Sequence, residues 1–173
     1  MLKKFFSLTL IFISFSCFNN KSKQIKNFNF ENLNTNPNVS QVNSKFIEGV
    51  SSKDFKTFLM KNNFKEVKTK EFIFEEDDAC YKIKVIGNEK IREIEFYTSS
   101  KNNLLEKASL FFKKAAKIPI PQVDTLRIKN WTETNLNVVN EKLSQATILS
   151  NIHFLIEQIS FDEYKYSIKK YIQ

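Results

Sequence analysis

The sequence predicts an α+β fold, an antiparallel sheet of about five strands with two or three helices packed on one face. Three observations predict it. Alternating apolar and polar runs flank Gly87-Asn88, a four-turn helical stripe follows from Leu104 to Ile118, and strand-like alternation returns from Ile152 to Ile168.

The elements follow in chain order. Ser51-x-x-Asp54 has the form of a capping box, with Val50 placed to staple against Phe55. Phe55, Phe58 and Leu59 share one face of a short helix, and Asn62-Asn63 favours its end. The period then changes. Val67 to Glu75 is rich in β-formers, and Tyr81, Ile83 and Val85 alternate with Lys82 and Lys84. A two-residue loop at Gly87-Asn88 pairs this run with Ile91 to Thr98, setting Lys82 opposite Glu93 and Tyr81 opposite Ile94.

Asn103-x-x-Glu106 opens a second helix as another capping box. Its apolar stripe runs through Leu104, Ala108, Phe111, Ala115 and Ile118, leaving Lys107, Lys113, Lys114 and Lys117 to water. Pro119 and Pro121 stop it. Leu126 and Ile128 read as a short strand or a packed connector. Asn130-x-x-Glu133 then caps a third helix bearing Trp131, Leu136, Val139 and Leu143. Two terminal strands carry Ile152, Phe154 and Ile156, and Tyr164, Tyr166 and Ile168, around a turn at 160–163.

The chain begins MLKKFFSLTLIFISFSC: Lys3 and Lys4 precede an apolar run from Phe5 to Phe15, the pattern of a secretory signal. Polar residues start at Asn19, too soon for the roughly 20 apolar residues a spanning helix needs. With Ser16 directly before Cys17, this segment resembles the bacterial lipoproteins, in which the cysteine after the cut is acylated. The resemblance covers the export segment alone. It implies a signal at 1–16, lipidation at Cys17, and anchoring to the outer side of the cytoplasmic membrane or to the outer membrane. Ser14-Phe15-Ser16 also satisfies the small-x-small rule of an ordinary signal peptidase, which leaves a secreted soluble protein as the alternative. In that case a Cys17–Cys80 disulfide becomes available.

Residues 17–45 then read as a flexible polar tether, with nine asparagines between 18 and 45. Phe28, Phe30 and Leu33 are its exception, suited to docking as an extended strand. The ordered boundary falls near Lys45, giving one α+β domain over 46–173.

Composition narrows the function. Two glycines and three prolines argue against glycine-rich phosphate cradles and linker-dominated architectures. With 18 phenylalanines, five tyrosines and Trp131, aromatic rings must fill much of the core. Lys3 and Lys4 account for two of the +8 formal charges, and the other basic groups are dispersed, Arg92 and Arg127 being the two arginines. Nucleic-acid binding wants a focused basic surface instead.

No residue set reads as catalytic, metal-ligating or cofactor-binding. Cys80 and His153 are the one thiol–base pair available to the domain, and each reads more simply as structural or surface. The acidic run Glu75-Glu76-Asp77-Asp78 lacks the alternating spacing and central glycine of a calcium loop. That run and Tyr164/Tyr166 are the candidate protein contacts, with a buried place in the sheet as the other reading of the tyrosines. The sequence thus points to a non-catalytic envelope module that binds an envelope protein or supports a complex, with edge strands open to a partner. A lipid or small-ligand carrier is the alternative, and a small exported hydrolase the third reading.

Overall fold

The structure, a computed structural model, describes residues 24–39, 44–142 and 144–172. The expected signal 1–16, Cys17 and Leu143 lie outside them. Period-two alternation builds a wholly antiparallel seven-stranded sheet. Its strands are β1 (Lys65–Lys68), β2 (Glu71–Glu76), β3 (Ala79–Gly87), β4 (Ile91–Ser100), β5 (Ser144–Leu149), β6 (Ile152–Ser160) and β7 (Glu163–Lys170), in the order β1-β2-β3-β4-β7-β6-β5. The helices α1 (Ser52–Lys61), α2 (Leu104–Ala115) and α3 (Thr125–Lys142) cover one face. The fold is α+β, as the sequence predicts. Among the described residues no helix is long and apolar enough to cross a membrane.

Two strands beyond the expected five arise from local chemistry. The β-rich stretch from Val67 folds back at Thr69-Lys70, where Lys70 takes φ 65° and its N–H donates to Glu66 Oε1 at 3.1 Å. This makes β1 and β2 of what reads as one strand. β5 follows α3 directly, and Ser150 and Asn151, at φ 51° and 60°, turn it into β6.

The β3–β4 hairpin corrects the expected register. Lys82 faces Tyr97 and Tyr81 faces Thr98, because the loop is Asn88-Glu89-Lys90 with Gly87 paired to Ile91 across a bulge. Gly87 sits at φ +130°, and a Cβ there would lie 2.2 Å from the Lys90 carbonyl oxygen. The slip of four positions is even, so every side chain keeps its expected face.

The helix starts divide. Ser51 caps α1 as expected, its Oγ accepting from the Asp54 N–H at 3.0 Å and donating to the Asp54 carboxylate at 2.7 Å. Asn103 precedes α2 in the left-handed region, at φ 53°, without a side-chain cap. The third helix starts at Thr125, before Asn130: Asp124 Oδ1 accepts from the Arg127 N–H at 3.0 Å. Leu126 and Ile128 therefore belong to α3, the first exposed and the second buried.

The largest correction is at the N-terminal end. Residues 24–39 pack onto the domain rather than forming a tether up to Lys45, and Ile25, Phe28, Phe30 and Leu33 are buried. They do so in two 3-10 turns, Ile25–Asn27 and Phe30–Asn32, not as an extended strand. The four lysines expected to face water are half-buried and engaged, and two of them, Lys114 of α2 and Lys117 just after it, hold this segment. Lys114 Nζ donates to the carbonyls of Lys26 (2.9 Å) and Phe28 (2.6 Å), and Lys117 pairs with Glu31 at 2.8 Å. Lys107 pairs with Asp78, and Lys113 with Glu133 at 3.1 Å.

Aromatic rings join the layers. Phe30 lies edge-on to Phe28 (4.4 Å between centroids) and Phe96 (5.5 Å), and Phe96 contacts Phe111 at 5.8 Å. The chain of contacts continues through Phe112 to Tyr166 and Phe154. Such pairs contribute about 0.5–1.5 kcal/mol each beyond area burial.

Candidate functional site

Helices cover one face of the sheet, so the surface to consider is the other face and its two edges. On that outer face, lysines and glutamates of different strands pair, Lys82 and Glu163 across the intervening β4. Lys84 pairs with Glu95 (3.7 Å), Lys169 with Glu93 (3.7 Å), Lys82 with Glu163 (4.0 Å), and Lys165 with Glu157. Lys82 Nζ also lies 4.1 Å above the Tyr97 ring, while the Tyr97 hydroxyl donates to Glu95 Oε2 at 3.0 Å. Four lysines meet four glutamates there. The centre of the face is neutralised internally and suits water better than a charged partner.

The edges differ. β1 is a four-residue strand, Lys-Glu-Val-Lys, exposed throughout and irregular in register between Glu66 and Lys68. Short length, charge and a bulge are devices that blunt an edge. β5 has none of them: Ser144-Gln145-Ala146-Thr147-Ile148-Leu149 is uncharged, free of proline and regularly paired to β6. It is the last strand of the sheet among the described residues.

The direction of its free hydrogen bonds follows from the turn. Positive φ at both Ser150 and Asn151 is the type I′ signature, which closes on a hydrogen-bonded Leu149–Ile152 pair. Antiparallel pairs alternate, so Thr147 and Gln145 also bond to β6, while the N–H and C=O groups of Ser144, Ala146 and Ile148 point away from it. Ala146 and Ile148 stand on the outer face beside Leu155, with Ile148 47% exposed. Main-chain groups without a strand partner among the described residues and an apolar strip thus coincide.

The sequence-predicted contacts fare differently. Tyr164 and Tyr166 are 2% and 0% exposed on the helix-covered face, so a partner cannot reach them in this fold, which corrects their reading as contacts. In the acidic turn, Glu76 is engaged internally: its Oε1 accepts from the Ile25 N–H at 2.6 Å and its Oε2 from the Tyr81 hydroxyl at 3.0 Å. Asp78 pairs with Lys107. Glu75 and Asp77 remain exposed. The turn borders an open groove of about 1070 Å³, lined by acids, lysines and the apolar Ile25, Phe74 and Leu110. Cys17 lies outside the described residues.

Cys80 and His153 are not brought together. Cys80 on β3 aligns through Ser99 and Glu163 with Ser160, whereas His153 on β6 aligns through Lys169 and Glu93 with Ile86, toward the other end of the strands. Burial, and after it the Glu75 carboxylate, push the Cys80 thiol above its ordinary pKa, the opposite of an activated nucleophile. No cluster of three or more His, Cys, Asp or Glu able to hold a metal occurs among the described residues.

The site that sequence reasoning missed is β5. Its signal is present: Gln145, Thr147 and Leu149 alternate with Ala146 and Ile148 before a two-residue Ser150-Asn151 turn.

The chain is 28% identical over 144 residues to Trigger factor of Buchnera aphidicola subsp. Acyrthosiphon pisum, in strains Tuc7, 5A and APS. The match covers 79% of this chain but 28% of each relative, so the chain spans little more than a quarter of their length. No family model matches the chain. No solved structure matches it.

Proposed function

We propose that the chain is a non-catalytic envelope module, acylated at Cys17, which binds another protein by accepting an extended strand on β5. The observation that carries this reading is the contrast between the sheet's edges, a charged, bulged β1 and an uncharged, regular β5 with outward main-chain groups. Strand addition draws affinity from main-chain bonds and specificity from alternate side chains. The apolar strip of Ala146, Ile148 and Leu155 favours a partner strand with apolar residues on the outer face and uncharged ones opposite β5. The likeness to Trigger factor covers too little of that protein to bring its activity here.

Proline distinguishes the two sides of β5. Ala146→Pro removes an N–H that points outward and should leave the fold intact, whereas Thr147→Pro removes a bond to β6. A photoreactive side chain at 148 in living cells should yield a discrete protein adduct that Ala146→Pro abolishes, with no adduct from position 67 on β1. Persistence of the adduct in Ala146→Pro would refute strand addition.

A small-ligand carrier is the second reading, favoured by the groove beside Ile25, Phe74 and Leu110. Native mass spectrometry of the purified protein tests it by a co-purifying ligand that Leu110→Lys displaces.

A further inference from the structure

We infer that the end of the domain bearing Gln24, the acidic turn and the β6–β7 turn rests on the membrane surface, with Phe161 inserted among the lipid headgroups. This rests on acylation at Cys17 as proposed above. Residues 18–23 join Cys17 to Gln24. At no more than about 3.6 Å per residue, the seven steps between the two Cα atoms reach about 25 Å. A domain of this size has a radius of gyration near 15 Å and so a diameter of roughly 38 Å. The link is shorter than the domain is wide, which excludes orientations that turn its point of attachment fully away from the bilayer.

Hydrogen bonds and strand pairs locate that point. The Ile25 N–H donates to Glu76 Oε1 at 2.6 Å, Glu76 pairs with Ala79, Ala79 with Ser100, and the Ser100 N–H donates to the Asp162 carbonyl at 3.2 Å. The chain's point of entry and the β6–β7 turn therefore share one end of the sheet. At that turn Phe161 is 90% exposed and Ile159 is 49% exposed. The Ser160 hydroxyl, donating to Asp162 Oδ1 at 2.6 Å, braces the turn that carries the ring.

Phenylalanine, like tryptophan and leucine, buries its apolar side chain at the boundary between headgroups and acyl chains. Exposed Glu75 and Asp77 stand at the same end, so contact depends on the apolar ring rather than on attraction to anionic lipid.

The test uses the full chain purified from its native membranes and placed in phosphatidylcholine vesicles with or without brominated acyl chains. Phe161→Trp is compared with Glu89→Trp at the opposite end, and wild type supplies the Trp131 background. The expected result is a blue-shifted added emission from Trp at 161, lost in brominated lipid, with Trp at 89 unaffected. Equal behaviour of the two probes in a chain whose N-terminal peptide has the acylated mass would overturn the orientation alone. An unmodified N-terminal peptide would overturn both the acylation and the orientation built on it.

Discussion

Phe30→Ala tests whether residues 24–39 belong to the folded unit. The Phe30 ring is 0% exposed and lies within 4.4–5.9 Å of the rings of Phe28, Phe55, Phe58 and Phe96. Truncating a fully buried phenylalanine removes its transfer free energy and leaves a cavity, at a cost of about 3–5 kcal/mol. A domain of this length loses about 2–4 °C in Tm per kcal/mol, so the melting temperature should fall by roughly 6–20 °C. Urea unfolding followed by circular dichroism gives the free energy directly. Phe161→Ala provides an internal control: the same truncation at a ring 90% exposed should stay within about 0.5 kcal/mol of wild type. Equal, small effects from both variants would refute the packing of the N-terminal segment and restore it as a polar tether.

Two further predictions concern the hairpin and the ion pairs. Gly87→Ala places a Cβ 2.2 Å from the Lys90 carbonyl at a φ of +130° and should cost about 1–3 kcal/mol; an unchanged urea midpoint would contradict the bulge. Glu31 is held below its ordinary pKa of 4.5 by its hydrogen bond from Lys117 and then Asn29, and Glu66 by Lys56 and then the Lys70 N–H. A carboxylate whose folded value is depressed adds stability above its unfolded value, and that stability is lost as pH falls through the folded value. Glu31→Gln and Glu66→Gln should therefore flatten the fall of Tm with acid below about pH 4.5, modestly because both pairs are exposed. An acid limb as steep as wild type in the double variant would show that these pairs contribute nothing.

The legible parts of the fold were those set by short-range periodicity. Alternation in Tyr81–Val85 and Ile91–Thr98 identified the strands and their buried face, and the stripe through Ala108, Phe111 and Ala115 identified α2. Register was less legible, because Gly87-Asn88 resembles a two-residue loop while Gly87 in fact forms a bulge outside a three-residue one. Parity survived and the cross-strand partners did not. The N-terminal segment is illegible for a different reason. Ile25, Phe28, Phe30 and Leu33 follow neither period, and asparagines surround them, so their burial depends on an aromatic hollow formed by distant residues. β5 is hard to read because its six uncharged residues follow closely on a helical pattern and show little contrast between faces. The candidate site suffered most, since an open edge is a property of strand order, which no local pattern reveals.

Residue-resolved amide hydrogen exchange over β5 tests the central claim most directly, in the purified chain and again in the complex identified by cross-linking from position 148. In the free chain the amides of Ala146 and Ile148 should exchange quickly while those of Thr147 and Leu149 are protected, and the complex should protect all four. Slow exchange at Ala146 and Ile148 in the free chain would mean that the edge is already covered, and unchanged fast exchange in the complex would mean that the partner binds elsewhere. Either result would contradict strand addition at β5.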